Sequence, residues 1–203
     1  MKVSQRELER FRRNPRAWVL RKLDAPPFRG MKIWNQTALR MAVHWFHKGH
    51  TLAESRAKLE FYARKDPDLE GRERVVQRLY RYAQWHRESG RTVTHAKFSL
   101  ASGNSGGLLL GGSIDRVEML LGSTQPLQAT FLGSYKERWR DELRMPLAQH
   151  ALSARLGWPL IEIAIGVQVI DSGEPETHSF SEDEVSVALE EFEGLGVQVS
   201  DLL

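Results

Sequence analysis

Near residue 90 the spacing of the apolar residues changes, and that change limits the chain to a small set of folds. Up to "RYAQWHRESG" apolar positions recur at helical spacing; from "VTHAKFSLAS" onward they alternate with a period of two. The first period belongs to helices packed by one face, the second to half-buried strands. A helical half therefore has to cover a half built on a sheet.

The helical half divides at its own punctuation. "SQRELERFRRNPRAWVLRKL" opens at Ser4 with Glu7 three residues on, the spacing of a capping box. Pro15 lacks an amide and clashes with the preceding turn, which predicts a kink or two short helices. "APPFRG" reads as a turn, and a second helix runs from about Lys32 to Lys48, stopping at Gly49. Thr51 and Glu54 repeat the capping-box spacing before a third helix, and "DPDLEG" breaks the chain again. The last helix, near 72–88, carries Val75, Leu79, Tyr82 and Trp85 on one stripe with arginines between them. Those aromatics read as core, with base stacking as the rival use of Tyr82 and Trp85.

In the second half "VTHAKFSLAS" and "LLLGGSIDRVEMLL" flank the hairpin loop "GNSGG", and "LQATFLGSYK" follows the turn "GSTQP". A helix over about Asp141–Leu156 precedes "WPLIEIAIGVQVID", a buried-type strand. The closing helix starts at Ser181 and Glu184, a third capping-box pair, and its glycines mark its end. Three consecutive strands predict an antiparallel meander, and the helix before the fourth predicts a parallel crossover. The expected fold is α/β, a mixed central sheet flanked by helices. A single domain, 1–203, comprises a basic helical region (1–90) and an αβ core (91–203).

Charge is distributed as unevenly as hydrophobicity. Residues 1–90 carry 21 Lys and Arg against 10 Asp and Glu, a formal +11; residues 91–203 carry 8 against 16, a formal −8, for a net +3. Residues 171–201 contain no Lys or Arg. A basic helical half suits a polyanionic partner, DNA above all, and the rival is a solvated arginine-rich surface. No apolar run reaches the ~18 residues of a membrane-spanning helix. "MKVSQRELERFRRNP" has no apolar signal segment, so no membrane and a cytoplasmic location are expected. The chain has no cysteine, which excludes disulfides, thiolate zinc, iron–sulfur clusters and cysteine nucleophiles.

Chemistry concentrates at two strand ends. Asp115 is a lone carboxylate in the apolar, glycine-rich "LLLGGSIDRV", and an unpaired acid is costly to bury there. Lys136 ends the next strand, with Ser134 on its face by alternation. An acid and a lysine on adjacent strands suit a divalent cation beside a phosphate; the rival is a structural pair of Asp115 with Lys136, Arg116 or Arg138. "GNSGGLLLGG" has neither P-loop lysine nor dinucleotide spacing, and there is no Gly-x-Ser-x-Gly elbow or His-Glu-x-x-His helix.

The order of these segments resembles the RecB-type PD-(D/E)XK nucleases, including the CRISPR-associated RecB-like exonucleases. The likeness is carried by "VSQRELERFRRNPRAWVLRKL", the hairpin ending in "GGSIDRVEM", the strand "ATFLGSYKERW", the helix "LAQHALSARLG" and the closing strand and acidic helix. It implies a restriction-endonuclease-like core acting on DNA in repair, recombination or defence against phage and other mobile elements. Carried over, Asp115 is the metal-binding acid, Lys136 the catalytic lysine and Gln149 the helix residue beside the site. His44 is a further ligand, with His47 and His50 close enough to compete for that role. Mg²⁺ or Mn²⁺ is the implied cofactor.

Three positions depart from the pattern. Ser134 stands where the family has its second acid, Ser153 where a tyrosine follows Gln149, and His95 where a hairpin glutamate is common. A serine cannot replace a carboxylate's charge at a Mg²⁺ site. Glu118 and Glu137 have the wrong strand parity to compensate. Glu142, seven residues before Gln149, shares its face if the helix reaches back so far, and Asp141 is the weaker substitute; a helix-start acid favoured by the dipole is the plainer use of either. The site expected is thus Asp115, Lys136, Glu142 and Gln149, with His44, Asp115 and Glu142 as metal ligands. The alternative is an impaired DNA-binding or docking module of a helicase or nuclease complex, or a scaffold using its acidic C-terminal segment.

Overall fold

A computed structural model of the chain describes residues 1–23, 35–64, 68–104, 106–133, 137–170 and 172–202. The elements run β1 (Lys2–Ser4), α1 (Gln5–Arg13), α2 (Pro15–Leu23), α3 (Asn35–His47), α4 (Leu52–Ala63) and α5 (Leu69–Glu88). They continue with β2 (Thr92–Gly103), β3 (Leu109–Met119), β4 (Leu127–Leu132), α6 (Arg144–Leu156), β5 (Ile163–Gln168), β6 (Glu176–His178) and α7 (Glu182–Leu202). Among the described residues this is an α/β fold: one mixed six-stranded sheet flanked by seven helices. None of the described helices is long and apolar enough to cross a membrane. The predicted turn at 25–30 and the helical start at Lys32 lie outside the described residues.

Local signals set most of the helix ends. Pro15 separates α1 from α2 rather than kinking one helix, because it occupies the first position of α2, where a missing amide costs nothing. Asn14 caps that helix by accepting a hydrogen bond from the Ala17 amide at 3.0 Å. All three capping boxes form: Glu7 accepts from the Ser4 amide at 3.2 Å, Glu54 from Thr51 at 2.8 Å and Glu184 from Ser181 at 2.8 Å.

The sheet is the predicted meander with its crossover. β2, β3 and β4 pair antiparallel, and β4 pairs parallel with β5 across α6. Two short strands escape the sequence pattern. β1 pairs parallel with Leu109–Gly111 of β3, and β6 pairs antiparallel with β5. Each spans three residues, too few for a period to register. The glycines expected to end α7 do not; the helix continues to Leu202. Gly196 is there because the β2–β3 hairpin presses on it, so that a Cβ would lie 2.4 Å from the Asn104 side chain.

The two faces of the sheet differ in chemistry. One carries Val117, Ala129, Phe131 and Ile165, which pack on Met145, Ala148 and Leu152 of α6. The other carries Arg116, Glu118, Gln128 and Thr130, all buried beneath the α3–α5 layer, together with Leu132. A second core joins Val3, Leu8, Phe11 and Trp18 to Phe192 and Leu195 of α7.

Besides a register shift between Val93 and His95, alternation breaks in β3 at an informative place. Ile114 and Val117 are three apart and should face opposite ways, yet both enter the α6 core with Phe98. Between them lies Asp115, and opposite it in the ladder Lys97 has φ +65°. That left-handed backbone costs a side-chain-bearing residue about 1 kcal/mol or more. The local irregularity lets Asp115 turn toward the helices.

Candidate functional site

Asp115 sits at a fork. β2 runs along one edge of β3, so β1 and β4 share the other edge, β1 at residues 109–111 and β4 at 116–119. Asp115 falls in the gap, where its carboxylate accepts the Leu132 amide at 2.8 Å. Both carboxylate oxygens also meet the same nitrogen of Arg40, Nη2, at 2.7 and 2.8 Å. The pair is largely sheltered, with the side chain of Asp115 14% exposed and that of Arg40 27%.

The partner expected from sequence is corrected here. Arg116 pairs with Glu118 and Arg138 with Asp141, leaving Asp115 to Arg40 of α3. Arg40 and His44 share one face of α3, and Lys48 follows its last turn at the same four-residue spacing. That "R-x-x-x-H-x-x-x-K" spacing was the signal available for Arg40. The His44 imidazole is held neutral, its pKa lowered by burial and then by Lys48 and Lys97, with Asp115 opposing. Its Nδ1 is buried without a hydrogen-bond partner.

Other expected site residues go elsewhere. Ser134 and Lys136 lie outside the described residues. Glu142 does not share a helix face with Gln149, because α6 begins at Arg144 and Glu142 ends a separate 3-10 turn in extended conformation. Its carboxylate meets Arg144 Nε at 2.6 Å, and the Arg144 guanidinium lies over the Phe131 ring. Asp141 is exposed beside Arg138 at 3.0 Å. Gln149 is fully buried, donating to the carbonyls of Leu160 at 3.0 Å and Phe180 at 2.8 Å and accepting the Phe180 amide at 2.8 Å. It clamps the segment entering α7. Ser153 closes the end of α6 by donating to the Trp158 carbonyl at 2.7 Å. His50 lies tilted against the Trp45 ring, and His95 is exposed near Phe98.

His44, Asp115 and Glu142 are therefore not assembled as a ligand set. Among the described residues no three His, Asp or Glu converge as metal ligands. A Mg²⁺ or Mn²⁺ ion needs several free oxygens. Asp115 offers none that is not already shared with Arg40 or the Leu132 amide. The metal implied by the resemblance does not fit these residues.

A second polar cluster, unforeseen from sequence, underlies the site. Tyr82 of α5 holds His47 Nε2 at 2.6 Å and accepts from Arg116 through the same hydroxyl. Arg116 Nε lies 2.7 Å from Glu118, whose other oxygen is 3.6 Å from Arg91. Arg116, Glu118 and Tyr82 are all fully buried. Glu118 was expected to face away from Asp115; the irregularity at Lys97 and Asp115 instead brings both toward the α3–α5 layer, and the Tyr82 phenol feels both charges. The Arg116–Glu118 spacing, two apart in a strand, was the legible sign that these charges share a face.

Histidines in this cluster make stability depend on pH. Burial, then Arg116 and Arg91, push the His86 pKa down to about 4; burial and neighbouring His86 and Arg116 push His47 to about 2. Both imidazoles stay neutral in the fold but take up protons near pH 6.5 in the unfolded chain. Stability is thus complete above about pH 6.5 and falls toward about pH 4, by up to about 1.4 kcal/mol per pH unit for each histidine. The capping glutamates titrate below 4.5 and leave the upper part of this window clear. A urea midpoint measured from about pH 7.5 to about pH 5 should drop, and His86→Gln should flatten part of the slope. A level midpoint across that range contradicts the burial of these rings.

The chain matches no protein-family model and no curated protein.

Proposed function

We propose that this chain binds DNA through its basic helical half, on a nuclease-like α/β core that does not hydrolyse phosphodiesters. The observation that carries this reading is the Arg40–Asp115 pair: the carboxylate that a nuclease would give to a metal is given to a guanidinium. Ser134 in place of a second acid points the same way, as does the formal +11 of residues 1–90. Docking onto a helicase or nuclease partner through the same face is compatible with such a module.

A second reading, metal-dependent cleavage in Mg²⁺ or Mn²⁺, is favoured by the placement of His44 within the field of Asp115 at the strand fork. One experiment separates the two. Linear and circular DNA are incubated with the protein in Mn²⁺, with and without EDTA, while binding is followed against salt. Retention of DNA that weakens steadily as salt rises, with no cutting above the EDTA control, is expected. Mn²⁺-dependent cutting that Asp115→Ala abolishes overturns the proposal in favour of the nuclease.

A further inference from the structure

We infer that Arg40 occupies the role of the divalent cation, bridging Asp115 to a backbone phosphate of the nucleic acid. This deepens the DNA-binding reading and rests on it. The guanidinium is a planar fork with five donors. Its Nη2 meets both Asp115 oxygens, its Nε is buried without a hydrogen-bond partner among the described residues, and its side chain stays 27% exposed. The guanidinium donors that Asp115 does not take can donate to phosphate oxygens while Asp115 holds the group in place.

Charge around the pair favours an anion. Lys48 and Lys97 act on His44 from two sides, one following α3 and one from β2, and neither has a carboxylate partner among the described residues. Of the described groups that act on His44, Lys48 and Lys97 are positive and the one acid, Asp115, is already paired with Arg40, which leaves a surplus of positive charge. A dication would add to that surplus; a phosphate removes it. Lys97 also holds its left-handed backbone, φ +65°, directly opposite Asp115. Strain of that kind persists where a side chain is held in position for use.

The test uses the full chain, a fluorescein-labelled DNA duplex and inorganic phosphate. Duplex affinity is expected to be the same in EDTA and in Mn²⁺. Arg40→Gln should weaken it about tenfold in both. Lys97→Gly, which relaxes the backbone while removing the charge, should weaken it severalfold and lower the slope of log affinity on log salt by about one. The idea is overturned if Mn²⁺ tightens binding and Asp115→Asn abolishes that gain, or if a folded Arg40→Gln binds like the parent. Should Arg40→Gln fail to fold, Lys97→Gly decides: unaltered affinity and slope overturn the assignment. A chain that binds phosphate but no duplex, and loses phosphate with Arg40→Gln, keeps this site and sinks the DNA reading. Binding of neither ligand sinks both.

Discussion

Glu118→Ala is expected to cost about 3–5 kcal/mol of stability, a large part of what a domain of this size possesses. Glu118 lies with no exposure beside Arg116, which is equally buried and cannot shed its proton. Arg91 approaches the same carboxylate at 3.6 Å. Removing the acid strands the buried Arg116 guanidinium beside neutral His86. The contact between Arg116 Nε and Glu118 is close but poorly aligned as a hydrogen bond, so its value is Coulombic and depends on both charges being present. Replacing both partners together, Arg116→Met with Glu118→Leu, should recover most of the loss, because a well-packed apolar pair has no desolvation cost to offset. Arg91 keeps Gln128 and Glu174 as partners in that variant. Urea titrations followed by tryptophan fluorescence measure both. A single variant losing under about 1 kcal/mol would contradict the burial described here.

Gln149→Ala is the second large effect, with an expected loss of about 2–4 kcal/mol. Its amide satisfies the backbone of Phe180 in both directions and the carbonyl of Leu160, all at 3.0 Å or less. Truncation leaves those groups buried without partners beside the α6 core. Gln149→Glu should be no better, because a carboxylate would face two carbonyl oxygens where an amide NH₂ now donates. The family resemblance implies Gln149 as the helix residue beside the site, and the two roles separate cleanly. A clamp lowers the unfolding midpoint and leaves the DNA affinity of the folded protein alone. A site residue changes affinity or cleavage at unchanged stability, and that result would restore the resemblance's assignment.

Much of the architecture was legible because it is written in local chemistry. Ser4–Glu7, Thr51–Glu54 and Ser181–Glu184 each satisfy helix-end amides within four residues of chain, so their spacing alone announces them. Pro15 divides α1 from α2 through its own missing donor. Alternation from Thr92 to Met119 located the long hairpin, and the helix after β4 gave the crossover. Conversely, β1 and β6 exist only because a neighbouring strand offers an edge, and Gly196 is required only because Gly106 and Asn104 arrive there.

At the candidate site the sequence determined the inventory: a carboxylate, Asp115, in an apolar and glycine-rich stretch, a serine at 134 where the resemblance expects a second acid, and Arg40, His44 and Lys48 at four-residue spacing. Only the tertiary structure decided who meets whom. Arg40 and Asp115 are 75 residues apart, and Tyr82 and Arg116 are 34 apart. The side-chain phase of β3 changes between Ile114 and Val117, with left-handed Lys97 on the paired strand. A period read along one strand does not register such a change. Ion pairs between distant elements are fixed by which faces burial presses together, and that is a property of the packed chain rather than of any stretch of it.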